Sequence, residues 1–305
     1  MQLLSLLARS LLAAEVAVAV SLPLRIVSFN IRYAATSLET NEKPWWDLFC
    51  GVSPDRCRSP HVVDVLKTTA AGAPTSAATL FGLQEVLDNQ LSDVKSGLGS
   101  NWAHIGFGRD DGKKSGEYSP ILYRTDVLSL VYSEMKWLSP TPDVVSFGWG
   151  AGSRRVVTIG VFQHIATGKR FIHANTHLDN VSSQARSEGI KVVVARIEAV
   201  RALYGSLGVT LTGDFNSDPN GDAYQTLQGL GYLTEIWNSG AQRVGTNQLT
   251  YTGFTATGIS RIDFVWLGPT AEKLYSAQQF TILNNNVDGL FISDHRPVVA
   301  DVTLL

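Results

Sequence analysis

Cysteine is nearly absent: Cys50 and Cys57 are the only two in 305 residues. They lack the further Cys and His partners that a structural zinc site needs. An even pair in a Pro-rich segment reads as a small disulfide loop if the chain is secreted, and as two free thiols if it is cytosolic. Charge is scarce as well. Only 17 % of residues are charged and the net charge is -2, which excludes the global basic footprint of non-specific duplex binders but leaves room for a local basic patch. Long apolar runs are missing too. The N-terminal MQLLSLLARSLLAAEVAVAV is apolar, yet Arg9 and Glu15 interrupt it, and its pieces fall short of the ~20 residues a membrane span requires. No residue-level repeat, low-complexity tract or linker is present.

What is there can bury a large core. The chain is 44 % apolar, and its length alone allows one or two domains. The Ala-rich start, with its Ala17-Val18-Ala19 step, resembles a secretory signal peptide. Residues 1–19 are therefore the expected signal and 24–305 the expected domain, in a secreted monomer. A cytoplasmic chain with a mis-started N-terminus is the alternative.

A succession of apolar segments follows, and nearly every one closes on a polar tip. LRIVSFNIRY reads as a buried strand ending in Asn30 and Arg32, and ATLFGLQEV as another presenting Gln84 and Glu85. WAHIGFGRDDGKKSGEYSPILYR reads as two strands joined by a charged loop. RRVVTIGVFQHIATGKRFIHANTHLDN reads as a hairpin whose second strand ends in His177 and Asp179. Ser182 to Tyr204 is the clearest helix, with Ile190, Val193, Ile197, Val200 and Tyr204 at helical spacing behind a Ser182 or Ser183 N-cap. Shorter helices are expected at His61–Ala71 and Ala223–Leu230. In LTGDFNSDPNG, side-chain alternation predicts Asp214, Asn216 and Asp218 on one side and Phe215 on the other. Taken alone, that stretch would more commonly be an Asp/Asn/Gly turn. RIDFVWLG carries Asp263, and Asp294-His295 precedes the last strand.

So many carboxylates, amides and imidazoles flanked by apolar strand residues do not read as independent turns, because buried carboxylates need partners or a metal. The motifs SFNIR (28–32), LQEV (83–86), NTHLD (175–179), GDFNSDP (213–219), RIDFVW (261–266) and SDHRPV (293–298) occur in this order. On these the chain resembles the endonuclease/exonuclease/phosphatase superfamily over its whole length from about Leu24. The resemblance implies a four-layer α/β/β/α sandwich: two mixed sheets packed face to face, helices outside, one domain, and a site where strand ends from both sheets meet.

It also implies roles. Hydrolysing a phosphate ester requires neutralised phosphoryl oxygens, an activated water and a stabilised leaving oxygen, and a carboxylate-held divalent metal serves all three. Mg²⁺, or Mn²⁺ in its place, suits oxygen ligands. By the resemblance, Glu85 is the principal metal ligand, helped by Asn30 and Asp294. Asp214 orients and deprotonates water, Asn216 holds it, His295 paired with Asp263 assists proton transfer, and His177 is the second phosphate histidine. Arg32 and Arg155 are candidate phosphate contacts, and Tyr118 takes the place of the family's site tyrosine, with Glu117 competing for that position. Residues 45–79 depart from the family pattern. The sequon at Asn180 stands beside the site, where a glycan would crowd it, and is expected to be unoccupied.

NTHLD and GDFNSDPNGDAYQTL most resemble the poly(A)-removing 3'-to-5' exonuclease branch, making RNA the leading expected substrate and DNA a further one. Trp45, Trp46 and Trp149 are candidates for stacking bases. The runner-up is a secreted phosphatase or phosphodiesterase acting on small organic phosphates. A catalytically inactive interaction module is the reading from another class. It is disfavoured because Glu85, Asp214 and His295 are all retained.

Overall fold

The computed structural model describes residues 20–305, so the expected signal segment 1–19 lies outside the described residues. Along the chain run β1 (Leu22–Asn30), α1 (Ser59–Ala71), β2 (Ala78–Gln84), α2 (Asp88–Leu98), β3 (Trp102–Ile105), β4 (Ile121–Arg124) and β5 (Leu128–Trp137). There follow β6 (Val156–His164), β7 (Arg170–His177), α3 (Ser183–Tyr204), β8 (Gly208–Asp214), α4 (Asp222–Leu230), β9 (Thr234–Glu235) and β10 (Gln242–Val244). The chain closes with β11 (Asp263–Gly268), β12 (Tyr275–Ile282), the small β13 (Asn286–Val287) and β14 (Leu290–Phe291) pair, and β15 (Val298–Leu304).

Two mixed sheets form the centre. One has seven strands in the order β10-β12-β15-β1-β2-β4-β3, and the other six in the order β5-β6-β7-β8-β11-β9. Strict side-chain alternation decides what each face packs against. In β7, Ile172 and Ala174 face α3, and in β8 Leu211 does the same, joining Ile190, Val193 and Ile197 in one core. On the other flank, Val27, Phe29, Phe81 and Leu83 pack under α1 and α2 against Val62, Leu66, Leu91 and Val94. The opposite parity, including Leu24, Leu80, Phe171, Val265 and Val302, fills the space between the sheets. Burying each such side chain contributes ~1.5–3 kcal/mol. The result is the α/β/β/α sandwich.

Following those inward residues along their strands, the filling changes from apolar to polar. Beyond Ile26, Leu80 and Phe171 come Ser28, Gln84, His173, Asn175, Thr210 and Thr212, all fully buried. They bond to one another: Gln84 Nε2 and Thr212 Oγ1 both donate to Asn175 Oδ1 (2.7 and 2.9 Å), and Asn175 Nδ2 donates to the carbonyls of Leu83 and Pro120 (2.7 and 3.0 Å), while Gln84 Oε1 has no partner. Gly82 faces this network, and a Cβ there would collide with Thr212 Oγ1 and Asn175 Oδ1. Close approach of the two sheets therefore requires glycine at this point.

Helix α1 begins at Ser59 rather than His61, since Pro60 sits comfortably in a first turn, where no backbone N–H is needed. Ser182 caps α3 by accepting from the Ala185 N–H at 3.2 Å. Helix α2 has only Gln90, Leu91 and Val94 buried, too short a stripe to stand out as a period. The atypical segment before it is built rather than loose. Cys50 and Cys57 are joined by a disulfide. The fully buried Arg58 donates to the carbonyls of Lys43, Ile31, Tyr33 and Ile292 at 2.8–3.1 Å.

Among the interior polar groups, His173 titrates far from its ordinary range: burial lowers it to about 3, and its Nδ1 lies 2.7 Å from Thr210 Oγ1. The native state keeps this imidazole neutral, whereas the unfolded chain protonates it below ~6.5. The unfolded state thus binds more protons throughout this window. Stability must fall as pH drops, by up to ~1.4 kcal/mol per pH unit for this one group. Chemical denaturation between pH 6.5 and 4.5 is expected to show a slope smaller by about one proton in His173→Asn than in the parent. Identical slopes would mean that His173 is not held neutral.

Candidate active site

The site forms where the polar filling reaches the strand ends. Register places three of its members on one rung: His177 pairs with Asp214 across β7 and β8, and Asp214 with Asp263 across β8 and β11. Their common parity turns all three toward the other sheet, which presents Asn30 at the end of β1. Glu85, just past β2, and Arg32, just past β1, adopt left-handed backbone (φ 60° and 58°), as does Asn216 (φ 47°). Such conformations cost of order 1–3 kcal/mol each in non-glycine residues and persist only where the surroundings enforce them.

Asn30 Nδ2 donates to Glu85 Oε1 (3.0 Å) and to Asp214 Oδ2 (2.9 Å), while its Oδ1 accepts the Arg32 N–H (2.9 Å). Asn30 thus clamps two carboxylates through its nitrogen, while its Oδ1 spends one of two lone pairs on the Arg32 N–H and keeps the other for the metal-ligand role expected of it. Glu85 Oε2 also accepts the Tyr33 N–H at 3.2 Å. His295 Nδ1 lies 2.8 Å from Asp263 Oδ2, and its Nε2 faces Asp214 Oδ2 at 3.7 Å. His177 Nε2 is 3.5 Å from Asp214 Oδ2 and accepts from Asn216 Nδ2 at 3.1 Å, which leaves the proton on Nδ1. Asp294 lies 4.0 Å from Arg32 Nη1. Arg155 is 3.5 Å from Asp179 and donates to Asn180 Oδ1 at 2.9 Å, while its Nη1 has no hydrogen-bond partner.

Crowding sorts the titrations. Burial first, and then the Asp263 charge, pushes Asp214 up to about 7. Burial and Glu85 push Asp294 up to about 6. Burial opposes protonation of His295, but Asp263, Asp214 and Asp294 outweigh it and hold the imidazolium well above its usual range. Burial, with Arg155 and Arg109 nearby, drives His177 well below its usual range. Glu85 stays below the ordinary carboxylate value although burial opposes this, because the Asn30 amide and the His295 charge favour its anion. One imidazole is therefore charged and the other neutral.

Ligand atoms of Glu85, His177 and Asp214 fall within 4.8 Å of one another. An excess of hard carboxylate oxygens in a largely buried site fits a divalent cation; Asp294, also expected to hold it, lines the same cavity but is not part of this cluster.

Two expectations need correction. The Tyr118 hydroxyl lies 2.9 Å from Asp88 Oδ1 and 3.0 Å from the Lys113 carbonyl, sharing its one proton between them, and stays outside the cavity. It braces the loop between β3 and β4, and the neighbouring Glu117 lines the cavity instead. The expected alternation of Asp214, Asn216 and Asp218 also fails. β8 ends at Asp214, Asn216 turns through left-handed backbone, and Asp218 folds onto the Asn220 N–H at 2.8 Å as a turn former. The cavity, of about 440 Å³, gathers Arg32, Glu85, Arg155, His177, Asp214, Asn216, Asp294 and His295. It adds Tyr33, Arg109, Glu117, Ser153 and Tyr251. Of these additions only Glu117 had any signal in the sequence. The others stand in loops without a motif.

A profile of the Endonuclease/Exonuclease/phosphatase family matches residues 27–295. The chain belongs to this family. Three solved structures are similar over nearly their whole length. A family protein from Bacteroides vulgatus is 30% identical (TM-score 0.76; 93% of this chain, 99% of that one). A family protein from Bacteroides thetaiotaomicron is 28% identical (TM-score 0.77; 93% and 99%). A mannosyl-6-phosphatase from Bacteroides thetaiotaomicron is 29% identical (TM-score 0.76; 92% and 99%). No curated protein sequence matches the chain. As a member of the endonuclease/exonuclease/phosphatase family, the protein is a metal-dependent phosphoester hydrolase.

Asp214 touches Asn30, His177 and His295, whereas Asp218 touches only its own turn. Asp214→Asn is expected to lower phosphoesterase turnover by roughly a hundredfold to ten-thousandfold with the folded state retained in melting curves, although the amide NH2 must face one of the two donors, Asn30 Nδ2 or the Asn216 N–H, that the carboxylate accepts. Asp218→Asn is expected to change turnover little, because an amide oxygen can keep the same turn. Equal, small effects of the two substitutions would remove Asp214 from the chemistry.

Proposed function

We propose that this hydrolase is a secreted phosphomonoesterase acting on a small polyhydroxylated phosphate ester, of the hexose phosphate class, at a Mg²⁺ or Mn²⁺ site. The observation that carries the reading is the cavity itself, a compact space of about 440 Å³ that suits one small ester. Within it Arg32 is bound to Glu39 and Glu42, and Arg109 to Glu117. Arg155, with its free Nη1, is the guanidinium left for a phosphate. The similar mannosyl-6-phosphatase supports the same substrate class. The RNA exonuclease expectation loses its footing here. Trp45, Trp46 and Trp149 line no part of the cavity, and Trp45 is buried with its Nε1 donating to Asp93 at 2.8 Å.

In this reading the phosphoryl group sits between Arg155 and the carboxylate cluster. Asp214, near neutrality in its pKa, orients the attacking water and takes its proton, with Asn216 holding the opposite side. His295, kept protonated and oriented by Asp263, stabilises the developing charge and gives its proton to the leaving oxygen. Neutral His177 offers its unpartnered Nδ1–H to a phosphoryl oxygen. A divalent ion held by Glu85 and Asp294 would neutralise the phosphoryl oxygens and lower the barrier electrostatically. Positioned proton transfer contributes ~10²–10⁴-fold.

The test is a substrate panel with and without chelator. Hydrolysis of nitrophenyl phosphate and mannose 6-phosphate is expected to vanish in EDTA and return with Mg²⁺ or Mn²⁺, while poly(A) RNA and duplex DNA persist. Faster shortening of poly(A) would overturn the substrate class, and full activity in chelator the mechanism.

Secretion is supported by the Cys50–Cys57 disulfide. Intact mass of the exported protein is expected to show an N-terminus shortly before Leu24 and two cysteines that resist alkylation until reduced. A retained Met1 with two free thiols would place the chain in the cytoplasm.

A further inference from the structure

Arg109 and Glu117 both line the cavity, yet no catalytic step above uses them. They come from the loop between β3 and β4, which is rigidly built. Arg109 N–H donates to the Glu117 carbonyl and Asp110 N–H to the Ser115 carbonyl, both at 3.0 Å, and Trp137 Nε1 donates to the Arg109 carbonyl at 2.7 Å. Tyr118 pins the loop to α2 through Asp88. On this frame the Arg109 and Glu117 side chains meet as a fork: Nη1 to Oε2 and Nη2 to Oε1, each 2.8 Å. The pairing is mostly buried, at 14% and 17% side-chain exposure, which makes it a fixed wall rather than a fluctuating surface contact.

The chemistry of that wall is unlike a phosphate anchor. An arginine meant for phosphate keeps its terminal nitrogens free, as Arg155 does at Nη1, whereas both terminal nitrogens of Arg109 are taken. The pair carries no net charge, and its carboxylate retains lone pairs that neutral hydroxyl donors can fill. We propose that the Arg109–Glu117 pair determines specificity for the leaving group, with Glu117 accepting hydrogen bonds from the hydroxyls of a polyol. This inference rests on the hexose phosphate reading and names the residues that enforce it.

The experiment compares the parent enzyme with Glu117→Gln on mannose 6-phosphate and on nitrophenyl phosphate, which has no leaving-group hydroxyls beyond the ester oxygen. Glu117→Gln is expected to lower kcat/KM for mannose 6-phosphate roughly 10- to 100-fold more than for nitrophenyl phosphate, the usual cost of losing hydrogen bonds to a charged acceptor. Glu117→Asp, which keeps a charged acceptor, is expected to retain part of the preference for mannose 6-phosphate. It serves as the second variant, with melting curves confirming the fold of each. Equal losses on mannose 6-phosphate and nitrophenyl phosphate would overturn the inference alone. A parent enzyme that hydrolyses nitrophenyl phosphate but no hexose phosphate would overturn the functional reading, and this inference with it.

Discussion

A single amide joins the two halves of the site. Asn30, on the seven-stranded sheet, reaches across to Asp214 on the six-stranded one and simultaneously holds Glu85 beside it. Without that bridge two carboxylates would face each other through low dielectric with nothing between them, an arrangement that costs several kcal/mol per ion. The bridge can exist only because the sheets approach closely, and the layer behind it ties them together: Gln84 and Thr212 both donate to Asn175 Oδ1, Gln84 Oε1 is left without a partner, and Gly82 leaves room for the group.

The same device recurs outside the sheets. Arg58 is a buried cation spent largely on backbone carbonyls, and it fixes the turns that carry Arg32 on one side and lead to Asp294 on the other. Asp179 accepts the N–H groups of Gly152, Val181 and Ser182 and stands 3.5 Å from Arg155, so the guanidinium assigned to phosphate is aimed by its second neighbour. Left-handed backbone at Arg32, Glu85 and Asn216 stores strain that these anchors offset. Geometry at the strand ends is thereby preset before any ligand arrives, which is the condition for electrostatic stabilisation without reorganisation.

The two histidines illustrate how environment, not residue type, assigns roles. His295 sits among three aspartates and stays charged, while His177 sits near two arginines and stays neutral. A charged acid and a neutral donor follow from position alone, with no difference in the side chains.

Much of this was legible in the residues. Alternating apolar positions marked β1, β2, β6, β7, β8 and β11, the Ile190-Val193-Ile197 stripe marked α3, and the polar tips marked where the strands end, because periodicity and burial are local consequences of side-chain chemistry. Helix α2 escaped notice for lack of an apolar stripe, and Tyr118 was misassigned because sequence proximity to Glu117 says nothing about which side chain a curved loop turns inward. The Asp214-Asn216-Asp218 alternation failed for a related reason, since one left-handed residue cancels the period. The chain by itself carried the ordered motifs, and through the family they mark, the layered fold and the hydrolase class. Only tertiary packing decided that Asn30 bridges two carboxylates, that Arg109 is spent on Glu117 while Arg155 keeps a free nitrogen, and which carboxylates press against which histidine, because these are distances between side chains that no local pattern encodes.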